Sequence, residues 1–143
     1  MKHSLKIFSL LAGLMIMFAS CDKVDDLTVY GEGKTPLLSA TSLTLAPTAA
    51  DSSNDVVTFS WTYPGYSTDS TNHKYVLEID SIGRGFIQAN KIVVTGGSLS
   101  KTLTAKQLNT ILLGFGFAFN TAYQVEARVI SSYGNNNEQK FSN

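Results

Sequence analysis

The sequence predicts an all-β sandwich carrying one short helix, set behind an N-terminal segment that does not belong to the fold. Three observations carry this. Stretches of strictly alternating apolar and polar residues recur between turns rich in Gly, Ser, Asn and Asp, the pattern of half-buried strands in a sandwich. A single stretch departs to a three-and-four spacing, which is helical. An oily run at the start of the chain ends at the only cysteine of its 143 residues.

That run comes first in the chain. Lys2 and Lys6 precede an apolar stretch from Ile7 to Ala19, and the small residues Ala19 and Ser20 stand directly before Cys21. A basic, an apolar and a small-residue region in this order make a cleavable secretory signal over residues 1–20. The apolar run falls short of the roughly 20 residues a spanning helix requires. A lone cysteine cannot close an intramolecular disulfide. Small residues followed immediately by cysteine resemble the lipobox of bacterial lipoproteins, with Phe18 where that family most often has Leu. The resemblance implies lipidation at Cys21, cleavage before it and several acyl chains, enough for stable anchoring. A plain secretory signal with an incidental cysteine is the alternative.

Residues 21–36 read as a lipidated tether. Asp22, Lys23, Asp25 and Asp26 make it acid-rich, and "TVYGEGKTP" continues it as a Gly-containing linker. The acids after the cysteine are similar to export signals of lipoproteins displayed on the outer face of the outer membrane. The predicted domain then occupies residues 37–143. In "TSLTLAP" (41–47) Leu43 and Leu45 alternate with Thr; in "DVVTFSWTY" (55–63) Val57, Phe59, Trp61 and Tyr63 share a face. "KYVLEID" (74–80) places Tyr75, Leu77 and Ile79 inward and Val76, Glu78 and Asp80 outward, while "AYQVEARVIS" (122–131) places Tyr123, Val125, Ala127 and Val129 inward. "KIVVTG" and "LSKTLT" add two shorter strands. "TAKQLNTILLGFG" (104–116) is the helix, with Thr104 as N-cap, Leu108, Ile111 and Leu112 on one face and Gly114 as the stop. It is expected to cross one end of the sandwich.

Composition narrows the function. Without Lys2 and Lys6, nine basic residues face eleven acidic ones, so no basic surface recommends a nucleic acid. His3 leaves with the signal, and His73 alone cannot build a zinc site or a Cys/His pair; no metal and no cofactor is expected. The glycines of "GRGF" and "TGGS" lack phosphate-loop spacing and read as turns.

"VTFSWTYP", a later strand bearing Tyr75, and "NTAYQVEARVISSYGNNNEQKFSN" together resemble a fibronectin type III module, an immunoglobulin-like sandwich. That resemblance implies core roles for Trp61 and Phe59, and a structural Tyr123 whose hydroxyl bonds the backbone upstream. A narrower resemblance spans the chain. The lipobox, the polar tether, "TFSW", "YVLEID" followed by a Gly-containing turn and Phe86, "LTAKQLNTILLGFGF" and "ARV" are similar to the N-terminal domain of the SusE family, surface lipoproteins of starch-utilisation and related glycan-uptake systems. It implies a non-catalytic, outer-membrane, surface-exposed protein beside a transporter and glycan-binding lipoproteins, with polysaccharide as the cargo and this domain as spacer and docking unit. In that family the chain would continue past "KFSN", so the last strand is expected to be missing and the sheet edge open.

Direct sugar binding would need an exposed aromatic face. Tyr66 and Tyr63, in and beside the turn "YPGYSTDSTN", are the candidates, with Tyr66 expected to be the more exposed. Glu78 and Asp80 share a solvent face in this reading, where paired catalytic carboxylates would need a cleft between them. A cross-strand pair with Arg128 accounts for Glu78 instead. An adhesion or assembly subunit completed by a neighbour's strand is the third reading.

Overall fold

The computed structural model describes residues 31–66 and 69–143; the predicted signal and Cys21 lie outside them. Seven strands form two antiparallel sheets. Strands β1 (Leu38–Ala40), β2 (Asp55–Trp61) and β5 (Ser100–Thr104) make the sheet β1-β2-β5; β3 (His73–Ser81), β4 (Asn90–Val94), β6 (Val125–Tyr133) and β7 (Lys140–Phe141) make the sheet β4-β3-β6-β7. One helix, α1 (Ala105–Gly114), follows β5 directly. Among the described residues the predicted β-sandwich with one α-helix is what is found.

The longest pairing, β3 with β6, runs in unbroken register from His73↔Tyr133 to Ser81↔Val125. Period-two alternation sends Tyr75, Leu77 and Ile79 inward, each 0–1% exposed. Two apolar clusters fill the space between the sheets. Val57, Leu77, Ile79 and Leu103 pack with Leu108 and Ile111 of α1, and Trp61, Tyr75, Val94 and Val129 form the other, with Phe59 packed against both. The helix closes the first cluster because its three-and-four spacing brings Ala105, Leu108 and Ile111 to one face. Its start is a capping box: Thr104 Oγ1 accepts from Gln107 N, and the Gln107 side chain accepts from Thr104 N. Gly114 is its last residue, and Gly116, at φ 82, carries the left-handed step that lets the chain turn away.

Four expectations are corrected. Residues 41–47 form no strand: Ser42 Oγ donates to Thr44 O and accepts from Thr44 N, a local bond that competes with sheet pairing. Leu43 is left 95% exposed while Leu45 reaches the core; the first strand is the preceding "LSA". Residues 31–36, assigned to the linker, lie on the domain. Lys34 N donates to Pro64 O, Tyr133 Oη donates to Gly31 O, and Gly33 is so close to Tyr66 that a Cβ would overlap the ring. Inward Tyr123 and Val125 are in fact exposed, because β6 begins only at Val125, beyond the part of the sheet that the opposite layer covers. Finally, where no last strand is expected, Lys140 and Phe141 pair with Ser131 and Ile130 as β7, and Ser142 N extends the ladder to Val129 O.

The sandwich therefore has two distinct ends. Residues 31–36, the turn after β2, and the β6–β7 turn gather at the His73–Tyr133 end. The β3–β4 loop, α1 and the loop into β6 gather at the Ser81–Val125 end, roughly 27 Å away along nine-residue strands rising about 3.3 Å per residue.

Candidate functional site

Of the two tyrosines proposed for sugar contact, the structure exposes one. Tyr63 is 45% exposed and its hydroxyl donates to Tyr66 O at 2.7 Å. Tyr66 is 3% exposed, correcting the expectation that it leads the pair. Its hydroxyl donates to Glu138 O at 2.8 Å and sits 3.1 Å from Ser131 Oγ, and its ring lies 5.1 Å from His73 and 4.6 Å from Tyr133. Burial raises its hydroxyl pKa. Tyr66 is a packing residue that holds the turn and the 31–36 segment to the sheet. His73, 1% exposed among the rings of Tyr63, Tyr66 and Tyr133, has its pKa lowered by burial. Trp61 is 4% exposed, in the cluster of Tyr75, Val94 and Val129, and tilted against Tyr75 at 5.5 Å.

The acids of β3 are also not where the sequence puts them. Glu78 is 1% and Asp80 0% exposed, although both point away from the sandwich interior. Neighbouring side chains cover them. Glu78 Oε2 accepts from Arg128 Nε at 2.7 Å and Oε1 meets Lys91 Nζ at 3.0 Å, the predicted cross-strand pair with a second cation added. The Arg128 guanidinium lies 4.1 Å from the centre of the Phe86 ring and 5.0 Å from that of Phe141. Phe86 reaches it from a left-handed backbone, φ 61, which a bulky side chain adopts only under constraint. Asp80 anchors the same loop, accepting from Ser81 N and Gln88 N. This is a latch between the β3–β4 loop and the sheet, and the two carboxylates face no cleft between them.

The missed feature is the Ser81–Val125 end. Ile82 and Ile87 of the β3–β4 loop are 57% and 86% exposed; Leu113, Phe119, Tyr123 and Val125, on the far side of the same end, are 42%, 70%, 42% and 41% exposed. Phe117 and Tyr123 stack at 3.9 Å and 8°, and the Tyr123 hydroxyl accepts from Ala118 N, five residues upstream. The backbone bond expected of Tyr123 exists, but it rigidifies an exposed loop and does not place the ring in the core. Of these exposed apolar side chains four are on loops, one is on α1 and one opens β6. The signal in the sequence was "FGFAFNTAY", whose aromatics alternate like a strand but sit in a loop interrupted by Gly116 and by Asn120, at φ 57.

Residues 23–130 match a family model described as SusE outer membrane protein. The chain belongs to the SusE family. The match runs from the tether through β1 to β5, α1 and β6 as far as Ile130, and SusE membership gives an outer-membrane location and a role in a Sus-type glycan system. Among curated proteins none matches the chain. No group of three or more metal-ligating side chains occurs among the described residues.

Proposed function

We propose that this protein is a non-catalytic surface lipoprotein of an outer-membrane polysaccharide-uptake system, and that the domain is its spacer and docking module. Lipid at Cys21 would hold it to the membrane. The observation that carries the reading is polarity along the sandwich. The segment leading from Cys21 meets the fold at the His73–Tyr133 end, bonded to Tyr133 and Pro64, where Leu37 and Tyr63 are exposed, while six exposed aromatic and aliphatic side chains, from Ile82 to Val125, gather at the opposite end. A module attached at one end and apolar at the other presents its interaction surface away from the anchor. The partner of that surface would be the transporter or a glycan-binding lipoprotein beside it.

Direct capture of sugar by Tyr63 and Tyr66 loses support from the burial of Tyr66. The test is intact-mass analysis of membrane-extracted protein together with protease shaving of whole cells. Acylated Cys21 and loss of the domain on shaving are expected. An unmodified soluble product, or a protected one, overturns the anchored surface assignment.

A further inference from the structure

A groove runs along one open side of the sandwich, between the edge strands β4 and β5 and beneath α1. It consists of two adjoining hollows of about 280 and 340 Å³ that share Asn90, Thr110 and Ile111. Ile92 is the partly exposed part of its apolar floor, with the nearly buried Leu103 and Ile111 behind it. Its walls carry three cations, Arg84, Lys101 and Lys106, and no carboxylate. In a domain whose acids and bases balance, seven of each over residues 37–143, that separation is notable. None of the three takes part in an ion pair among the described residues, whereas Lys91, Arg128 and Lys140 do.

Lys101 is two residues from Leu103 on β5 and so shares its inward face. An inward lysine on an edge strand guards that edge against pairing, which would account for Lys101 alone. It does not account for Lys106 from the first turn of α1 or Arg84 from the β3–β4 loop lining the same groove. The neutral polar groups are donor-rich as well. The carbonyl oxygen of the Gln107 side chain is occupied by Thr104 N and that of Gln88 by Arg84, leaving their amide N–H groups to donate. Cations and amide donors above an aliphatic floor match a ligand with carboxylates, many ether and hydroxyl oxygens, and an apolar C–H face.

We infer that this groove binds an acidic polysaccharide, a chain of uronate sugars. The inference rests on the reading of the protein as a component of a glycan-uptake system and names the class of glycan. An acidic peptide would satisfy the cations but would have less use for the apolar floor and the amide donors.

The test is affinity electrophoresis of the domain in gels containing polygalacturonate, amylopectin or polyglutamate. Retardation by polygalacturonate alone is expected, with at least a tenfold weaker apparent affinity for Lys101→Gln/Lys106→Gln and a smaller loss for Lys106→Gln. Lys106 is exposed, so that single variant leaves the core untouched and guards against misfolding of the double one. No retardation by polygalacturonate, equal retardation by amylopectin or polyglutamate, or variants that bind as wild type would each overturn the assignment. Shaving and mass analysis of the same cells report on surface anchoring independently, so failure here and failure of the uptake-system reading are told apart.

Discussion

Replacing Arg128 by Met removes the guanidinium while keeping much of the apolar stem, and the structure sets the size of the effect. Glu78 is 1% exposed and divides its carboxylate between Arg128 Nε at 2.7 Å and Lys91 Nζ at 3.0 Å. Breaking a buried ion pair by deleting one partner costs about 3–5 kcal/mol, because the remaining charge stays desolvated. Lys91 remains to offset part of this, though its side chain is 61% exposed and its attraction is weakened by water. Loss of the contact with Phe86 adds about 1 kcal/mol. Arg128→Met should therefore lower unfolding stability by about 3 kcal/mol, while Lys91→Met, removing the wetter partner, should cost about 1 kcal/mol or less. Urea denaturation with a Glu78→Gln/Arg128→Met double-mutant cycle reads both the cost and the coupling. A cost for Arg128→Met below about 0.5 kcal/mol, the size of an exposed pair, would refute the claim that covering side chains keep this carboxylate out of water.

Three further outcomes are expected. His73 has its pKa lowered from 6.5 by burial, so the unfolded chain binds the proton more readily; stability is full above about pH 6.5 and falls as pH drops below it, and thermal unfolding of His73→Asn should show that loss flattened. The Tyr75 hydroxyl is buried with no hydrogen-bond partner among the described residues, and its pKa is pushed up to about 12. Tyr75→Phe should accordingly match or exceed wild-type stability by about 1 kcal/mol, and a loss above that size in denaturant would show the hydroxyl to be bonded. At Gly33, Ala would drive a Cβ into the Tyr66 ring and should cost about 1–3 kcal/mol, with faster proteolysis of the 31–36 segment as the specific sign.

The strands that pair in the middle of each sheet were readable because one face of each is dry. Alternation in β2 and β3 marks Val57, Trp61, Tyr75, Leu77 and Ile79, and burial on one side of a pleat is all that alternation reports. The helix was readable from the same logic at its own period, with Thr104 and Gln107 supplying the cap. Alternation misled at the margins. Leu43 and Tyr123 keep the period of a strand, yet neither lies in one: Ser42 ties its own backbone, and the opposite layer ends before Tyr123. Burial of Glu78 and Asp80 was hidden because it depends on side chains outside their own strand, Arg128 from β6 and Phe86 from the β3–β4 loop above all. Burial of Tyr66 was hidden for the same reason, since Gly31, Gly33, His73 and Tyr133 converge on that corner only after the chain has folded.

The proposed docking surface of this SusE-family domain is the Ser81–Val125 end, remote from the tether. Photo-crosslinking in living cells, from a benzoylphenylalanine placed at Phe119 and, for comparison, at Tyr63, tests it most directly. A discrete adduct with an outer-membrane protein of the same uptake system from position 119 and none from position 63 is the predicted result. Adducts from position 63 with none from position 119 would contradict it.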